Sequence, residues 1–218
     1  MIMIQQSRNY SVIDHLIHQF DWGLRTLVGD KTLGARPNPS LQAEDSRLSA
    51  SEKSLAAGLM RINEVGEIAA QALYQSQSWV ARTPELKQAM LNAAREEQDH
   101  LVWCKQRLIE LDSHSSYLNP LWYLGSLAIG SVAGVWGDRW NLGFIEETEH
   151  QVIRHLDEHL KRLPQADHKS RRIIEQMKMD EEKHATAAHH AGAALLPEPI
   201  KQTMRFMSKV MTTIAFWI

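Results

Sequence analysis

Cysteine is almost absent: Cys104 is the single one in 218 residues. That excludes an intramolecular disulfide framework and any multi-cysteine zinc site, and it makes a reducing compartment the natural home. A surplus of positive charge is missing as well, since 24 Lys and Arg face 26 Asp and Glu for a formal net charge of −2. Nucleic-acid binders usually carry a basic surplus, so no nucleic-acid partner is expected. The longest apolar stretch, Leu121 to Trp136, is only sixteen residues and rich in Gly and Ser. It falls short of the ~20 residues a bilayer-spanning helix needs. No basic start leads into an apolar run and a small-residue cleavage site, and Asp14 and Asp21 interrupt what a transit peptide would keep acid-poor, so neither leader is expected. Strand signals are scarce too. What is abundant is helical periodicity, together with 11 histidines, on a chain long enough for one domain with appended arms.

Along the chain, residues 9 to 28 read as an amphipathic arm helix with Val12, Leu16, Phe20, Leu24 and Leu27 on one stripe. Lys31 to Ser46, with Gly34, Pro37 and Pro39, reads as a linker. Ser49 with Glu52 three positions on is a capping box that opens a first long helix running to about Arg82. Thr83-Pro84-Glu85 starts a second, which continues to about Asp112. The apolar Trp122 to Trp136 segment is the connection to a third helix, about Asp138 to Leu163. A fourth follows the turn at Pro164 to Asp167 and runs to about Ala194, and a last amphipathic helix covers Ile200 to Ile218. Two helical hairpins joined by one long connection predict an all-α, ferritin-like four-helix bundle with additional N-terminal, connecting and C-terminal helices. The expected division is an arm and linker over 1–48, the bundle over 49–196 and the amphipathic helix over 197–218.

Two tetrads stand out inside that frame. The second helix holds Glu96-Glu97-Gln98-Asp99-His100 and the fourth holds Asp180-Glu181-Glu182-Lys183-His184. Each contains Glu-x-x-His, which puts a carboxylate and an imidazole on one helical face. A dimetal carboxylate site also needs a Glu from each of the other two helices. Glu97 lies 14 residues past Thr83 and Glu67 lies 15 before Arg82, so both sit about 22 Å from the turn at ~1.5 Å per residue. Glu149 lies 16 residues before Gln165 and Glu181 lies 16 after it. Glu67, Glu97, His100, Glu149, Glu181 and His184 are therefore the candidate metal ligands. Glu64 and Glu146 are three residues off level and Glu147 two, and Glu146 stays a rival to Glu149. Glu96 and Glu182 project about 100° away from their neighbours and are read as solvated or as lying behind the ligands. Mixed nitrogen and oxygen ligation with open positions suits iron or manganese rather than a closed zinc site.

Arg61-Ile62-Asn63-Glu64-Val65-Gly66-Glu67, followed by Tyr74, resembles the demethoxyubiquinone hydroxylase family of ubiquinone biosynthesis, which carries R-[VI]-N-x-x-G-E and a tyrosine seven residues on. The resemblance continues through Glu97 and His100, Glu149 with Val152 and His155, and Glu181 and His184, and so spans about residues 49 to 218. The Glu-x-x-Val-x-x-His frame favours Glu149 over Glu146. The family's eukaryotic members carry a second histidine and a tyrosine around the His155 position; here Arg154 and Leu156 flank it. The resemblance implies two iron ions per chain, O2 as co-substrate, an external reductant with NADH the candidate, and hydroxylation of a polyprenylated demethoxy-benzoquinol ring. It further implies a bacterial-type peripheral protein on the cytoplasmic face of the cell membrane, with other ubiquinone-biosynthesis proteins as candidate partners and a homo-oligomeric assembly.

Other residues carry weaker expectations. Tyr74 lies two turns from Glu67 on the same face, and His155 lies six residues from Glu149, so both are candidates to act from behind the ligands. Gly66 is expected to permit close helix approach, His150, His159, His189 and His190 to lie on the surface, and Cys104 to be core. Trp122, Tyr123, Trp136 and Trp140 flank the apolar connection, and Ile214 to Ile218 ends the last helix opposite Lys201, Arg205 and Lys209. Both segments suit a membrane surface. The rival functions are a tRNA-modifying di-iron hydroxylase and an iron-storage or oxidant-protection bundle.

Overall fold

The computed structural model describes residues 11–29, 34–44 and 47–218, apart from the side chains of Val12, His15 and Leu16. The first two residues of the expected arm helix, and the Val12 and Leu16 part of its stripe, lie outside that description. The described residues form seven α-helices and one 3-10 turn, with no strand: α1 (Val12–Val28), the turn Pro39–Gln42, α2 (Ala50–Val80), α3 (Pro84–Glu110), α4 (Asn119–Val135), α5 (Asp138–Arg162), α6 (His168–His190) and α7 (Glu198–Ala215).

The helix starts follow the local chemistry. Ser49 accepts from the Glu52 N–H while the Glu52 carboxylate accepts from the Ser49 N–H, so two otherwise orphaned donors are satisfied reciprocally. Thr83 caps α3 with Pro84 at its first position, and Asp167 caps α6 through the Ser170 N–H. Helices α2 and α3 form one hairpin and α5 and α6 the other, and α3 meets α6 where the hairpins close on each other. This is a ferritin-like helical bundle. One end of its core holds Leu59, Met60, Trp103, Leu156, Ile173 and Met177, with the Cys104 thiol against the Met177 sulfur. The other holds Tyr74, Leu86, Met90, Leu142 and Ile145.

The connection is a full helix. α4 lies along α2, and a Cβ at Gly130 or Gly134 would collide with Ser76 or Val80. These glycines set the distance between two helices. Gly66 does not have the role expected of it, since a Cβ there would meet nothing within 4 Å. Its neighbours explain more of the motif. Arg61 donates to the carbonyls of His114 and Phe216 and to Ser113 Oγ, which ties α2 to the α3–α4 loop and to the end of α7. Asn119 donates to Glu64 at 2.7 Å, fastening the start of α4. Asn63 Oδ1 lies 2.8 Å from His159 Nδ1, and His159 is buried rather than on the surface.

Apolar side chains also point outward. Along α1, Ile13, Ile17, Phe20, Leu24 and Val28 form an exposed stripe, while Gly23 and Leu27 pack toward Tyr123. Leu121, Leu124 and Val132 of α4, Trp136 just after it, and Phe206, Val210 and Trp217 around α7 are exposed as well.

Candidate metal centre

Four helices each bring a buried glutamate to the middle of the bundle. Glu67 comes from α2, Glu97 from α3, Glu149 from α5 and Glu181 from α6, and His100 and His184 join them one turn beyond Glu97 and Glu181. The ligating atoms of Glu67, Glu97, His100 and Glu181 lie within 4.8 Å of one another, as do those of Glu97, Glu149, Glu181 and His184. Glu97 and Glu181 belong to both quartets.

Their oxygens are divided between the two imidazoles. Glu97 presents Oε2 to His100 Nδ1 and Oε1 to His184 Nδ1, each at 3.1 Å. Glu181 presents Oε1 to His100 Nδ1 at 3.1 Å and Oε2 to His184 Nδ1 at 3.0 Å. Glu67 stands on the His100 side, 3.7 Å from its Nδ1. Glu149 stands on the His184 side and accepts a 2.6 Å hydrogen bond from the Tyr74 hydroxyl. The outward nitrogens are crossed between hairpins: His100 Nε2 lies 3.2 Å from Asp180 Oδ2 of α6, and His184 Nε2 lies 3.1 Å from Glu96 Oε2 of α3.

Burial of so many ionisable groups has electrostatic consequences. Burial, then the charge of Glu97, raises the Glu67 carboxyl well above the usual range. Burial, with Glu181 and Glu97, does the same to Glu149. Glu97 is buried too, but the two imidazoles outweigh that and hold its carboxyl below the usual range. Burial opposes charge on His184, yet Glu181 and Glu97 push it up to about 12. Protons thus gather where cations would otherwise balance the carboxylates. Glu67 Oε2 and Glu97 Oε1 are buried with no aligned hydrogen-bond donor. Unsatisfied carboxylate oxygens turned into a shared space are what a bound cation would satisfy, so the residues fit a pair of metal ions.

The geometry also separates the near neighbours. Glu64 serves the α4 start, and Glu146 turns outward to His189 at 3.0 Å. Glu147 meets Lys201 and Arg154, and Glu182 is exposed beside Lys178. His155 is not brought to the cluster. Its Nε2 lies 3.0 Å from Ser208 Oγ of α7, because six residues turn it away from Glu149 and toward the helix packed outside. Asp180 stands in the second tetrad but carries no role in the sequence reading, although a carboxylate precedes the Glu of each Glu-x-x-His.

Next to the His184 side lies a cavity of about 580 Å³, with Leu86, Met90, Leu142 and Ile145 as apolar walls and Tyr74 and His184 among its lining. Asn92, Glu96, Asp138 and Arg139 supply polar groups to it. The His184 side chain is 11% exposed and that of His100 is 0%, so the centre has a pocket side and a closed side.

Fold and site together define a ferritin-like bundle with a buried carboxylate–histidine centre of the kind that holds metal. The chain matches the family described as "Ubiquinone biosynthesis protein COQ7" over residues 54–215, and it belongs to that family. It is 56% identical over 210 residues to the 3-demethoxyubiquinol 3-hydroxylase of Polynucleobacter necessarius, a match covering 95% of this chain and 100% of that one. The proteins of the same name from Nitrosococcus oceani and Xanthomonas campestris are 51% and 50% identical, over 98% and 99% of this chain and 100% and 99% of theirs.

Proposed function

We propose that this chain is a 3-demethoxyubiquinol 3-hydroxylase, a di-iron monooxygenase that hydroxylates the ring of a polyprenylated demethoxy-benzoquinol. The observation that carries the metal reading is the division of Glu97 and Glu181, one oxygen of each toward each imidazole. Glu67 and His100 would hold one iron, Glu149 and His184 the other, with Glu97 and Glu181 shared. When bound, the iron pair supplies O2 activation: one oxygen atom enters the ring and the other leaves as water, with two electrons from an external reductant.

The protein's part is positioning and exclusion of water. Ring access from the His184 side suits the cavity, whose apolar walls accept an aromatic ring and whose polar groups can orient its hydroxyls. Tyr74 touches both the cavity and Glu149, so its hydroxyl fixes that carboxylate from the cavity side. Among the described residues no helix is long and apolar enough to cross a membrane. The exposed apolar residues of α1, α4 and α7 support peripheral contact with a lipid surface, from which a polyprenyl substrate can enter. An apolar groove of about 310 Å³ between Val132, Trp136, Phe144 and Ile200 has the chemistry to take an isoprenoid tail.

The test is mass spectrometry of quinones from cells lacking this gene. A quinone missing one methoxy group accumulates, and wild-type and Glu146→Ala chains correct the profile while Glu149→Ala does not. An unchanged profile in cells with no second hydroxylase would overturn the substrate assignment.

A further inference from the structure

The segment read as a linker is not slack. Residues 34–44 cross the open side of the α3–α6 pair, and the turn Pro39–Gln42 packs on α6. The N–H groups of Ala35 and Arg36 donate to Asp99 Oδ1 at 2.6 and 3.3 Å, and Asn38 donates to Gln106 Oε1 at 2.8 Å. Arg36 reaches deepest. Its Nε donates to Asp99 Oδ2 of α3 at 2.7 Å and its Nη1 to Asp180 Oδ2 of α6 at 2.7 Å. Its Nη2 lies 3.3 Å from His100 Nε2, and its guanidinium sits 5.0 Å over the Trp103 ring. Asp99 and Asp180 are both buried.

We propose that Arg36 is a positioning residue for the closed half of the metal centre, acting through Asp180 on His100. The proposal rests on the metal-centre reading above. The Asp180 oxygen that accepts from Arg36 is the one facing His100 Nε2, at 3.2 Å. Holding that oxygen in place orients an Nε2–H toward it and leaves Nδ1 free for a metal beside Glu67, Glu97 and Glu181. A planar guanidinium serves two carboxylates on different helices at fixed angles, which a lysine ammonium cannot do. Gln176 and Lys183 also contact Asp180, but both belong to its own helix and cannot hold α6 against α3. The pocket half is built differently. His184 Nε2 meets Glu96, which is half-exposed, and no hydrogen bond or ion pair joins the described residues 34–44 to either. The asymmetry makes one metal position tightly framed and the other open to the cavity.

Cobalt(II) binding to purified protein tests this without any turnover. His184→Ala leaves the closed quartet as the stronger site, and His100→Ala leaves the pocket quartet. Arg36→Ala is expected to weaken cobalt binding about tenfold to hundredfold in the His184→Ala background, as loss of a group orienting a ligand does. In the His100→Ala background it should change affinity less than about twofold. Arg36→Lys, which keeps the charge but not the fork, should fall between the parent and Arg36→Ala. Equal losses in both backgrounds, or none in the first, would overturn the proposal. Should circular dichroism find Arg36→Ala unfolded, the same comparison with Arg36→Lys decides it. A wild-type chain that binds no cobalt would instead overturn the metal-centre reading.

Discussion

His159 shows how a single side chain couples this bundle to pH. Burial, with the nearby charges of His155 and Arg162, lowers it from an ordinary value of 6.5 to about 3. Above pH 6.5 the imidazole is neutral whether the chain is folded or not. As pH falls below that, the unfolded chain takes a proton that the folded chain refuses, so stability is lost down to about pH 3. The loss from this group is on the order of 3 kcal/mol between pH 7 and 4. Urea unfolding of the metal-free protein across that range should show a shallower decline for His159→Gln than for the parent. The sequence reading put His159 on the surface because histidine is polar and nothing local opposes exposure. What satisfies it in the buried position is Asn63, 96 residues away on α2. The six cluster residues were legible for the opposite reason: equal distances from two turns and the i, i+3 spacing are local arithmetic on straight helices. Arg36 carried no such signal, since its partners lie 63 and 144 residues further on.

At the scale of elements, two glycines make opposite predictions. A Cβ at Gly143 of α5 would collide with the carbonyl oxygen of Ala194, in the stretch that leads from α6 to α7. That stretch is held by the Ala194 N–H on the Arg139 carbonyl, so Gly143→Ala should cost about 1–3 kcal/mol by forcing backbone apart. Gly66 faces open space inside α2, and Gly66→Ala should raise stability by up to ~1 kcal/mol through helix propensity alone. Thermal unfolding of the two variants should therefore move in opposite directions. Helix starts were readable because Ser49 with Glu52 and Thr83 with Pro84 are signals written in adjacent residues. The role of α4 was not. A Gly-rich apolar stretch has the same composition whether its glycines admit a neighbouring helix or merely lack side chains, and only the contacts with Ser76 and Val80 decide.

For the whole molecule, metal and proton compete for one space. Glu67 and Glu149 have raised carboxyl pKa values when metal-free, and both ligand imidazoles are raised as well, so metal binding must release protons. Affinity for cobalt(II) should rise steadily from pH 6 to 8, with proton release visible in weakly buffered titrations. Stripping the metal should lower the unfolding temperature, by an amount set by how far metal concentration exceeds the dissociation constant. The same crowding of charge also orders events in the life of the chain. Arg36 is made before any helix of the bundle, yet Asp99 and Asp180 leave the ribosome 63 and 144 residues later. Arg36 can meet Asp99 once α3 is made, but it cannot join α3 to α6 until Asp180 follows, so the closed half of the centre is the last part of the site to be framed.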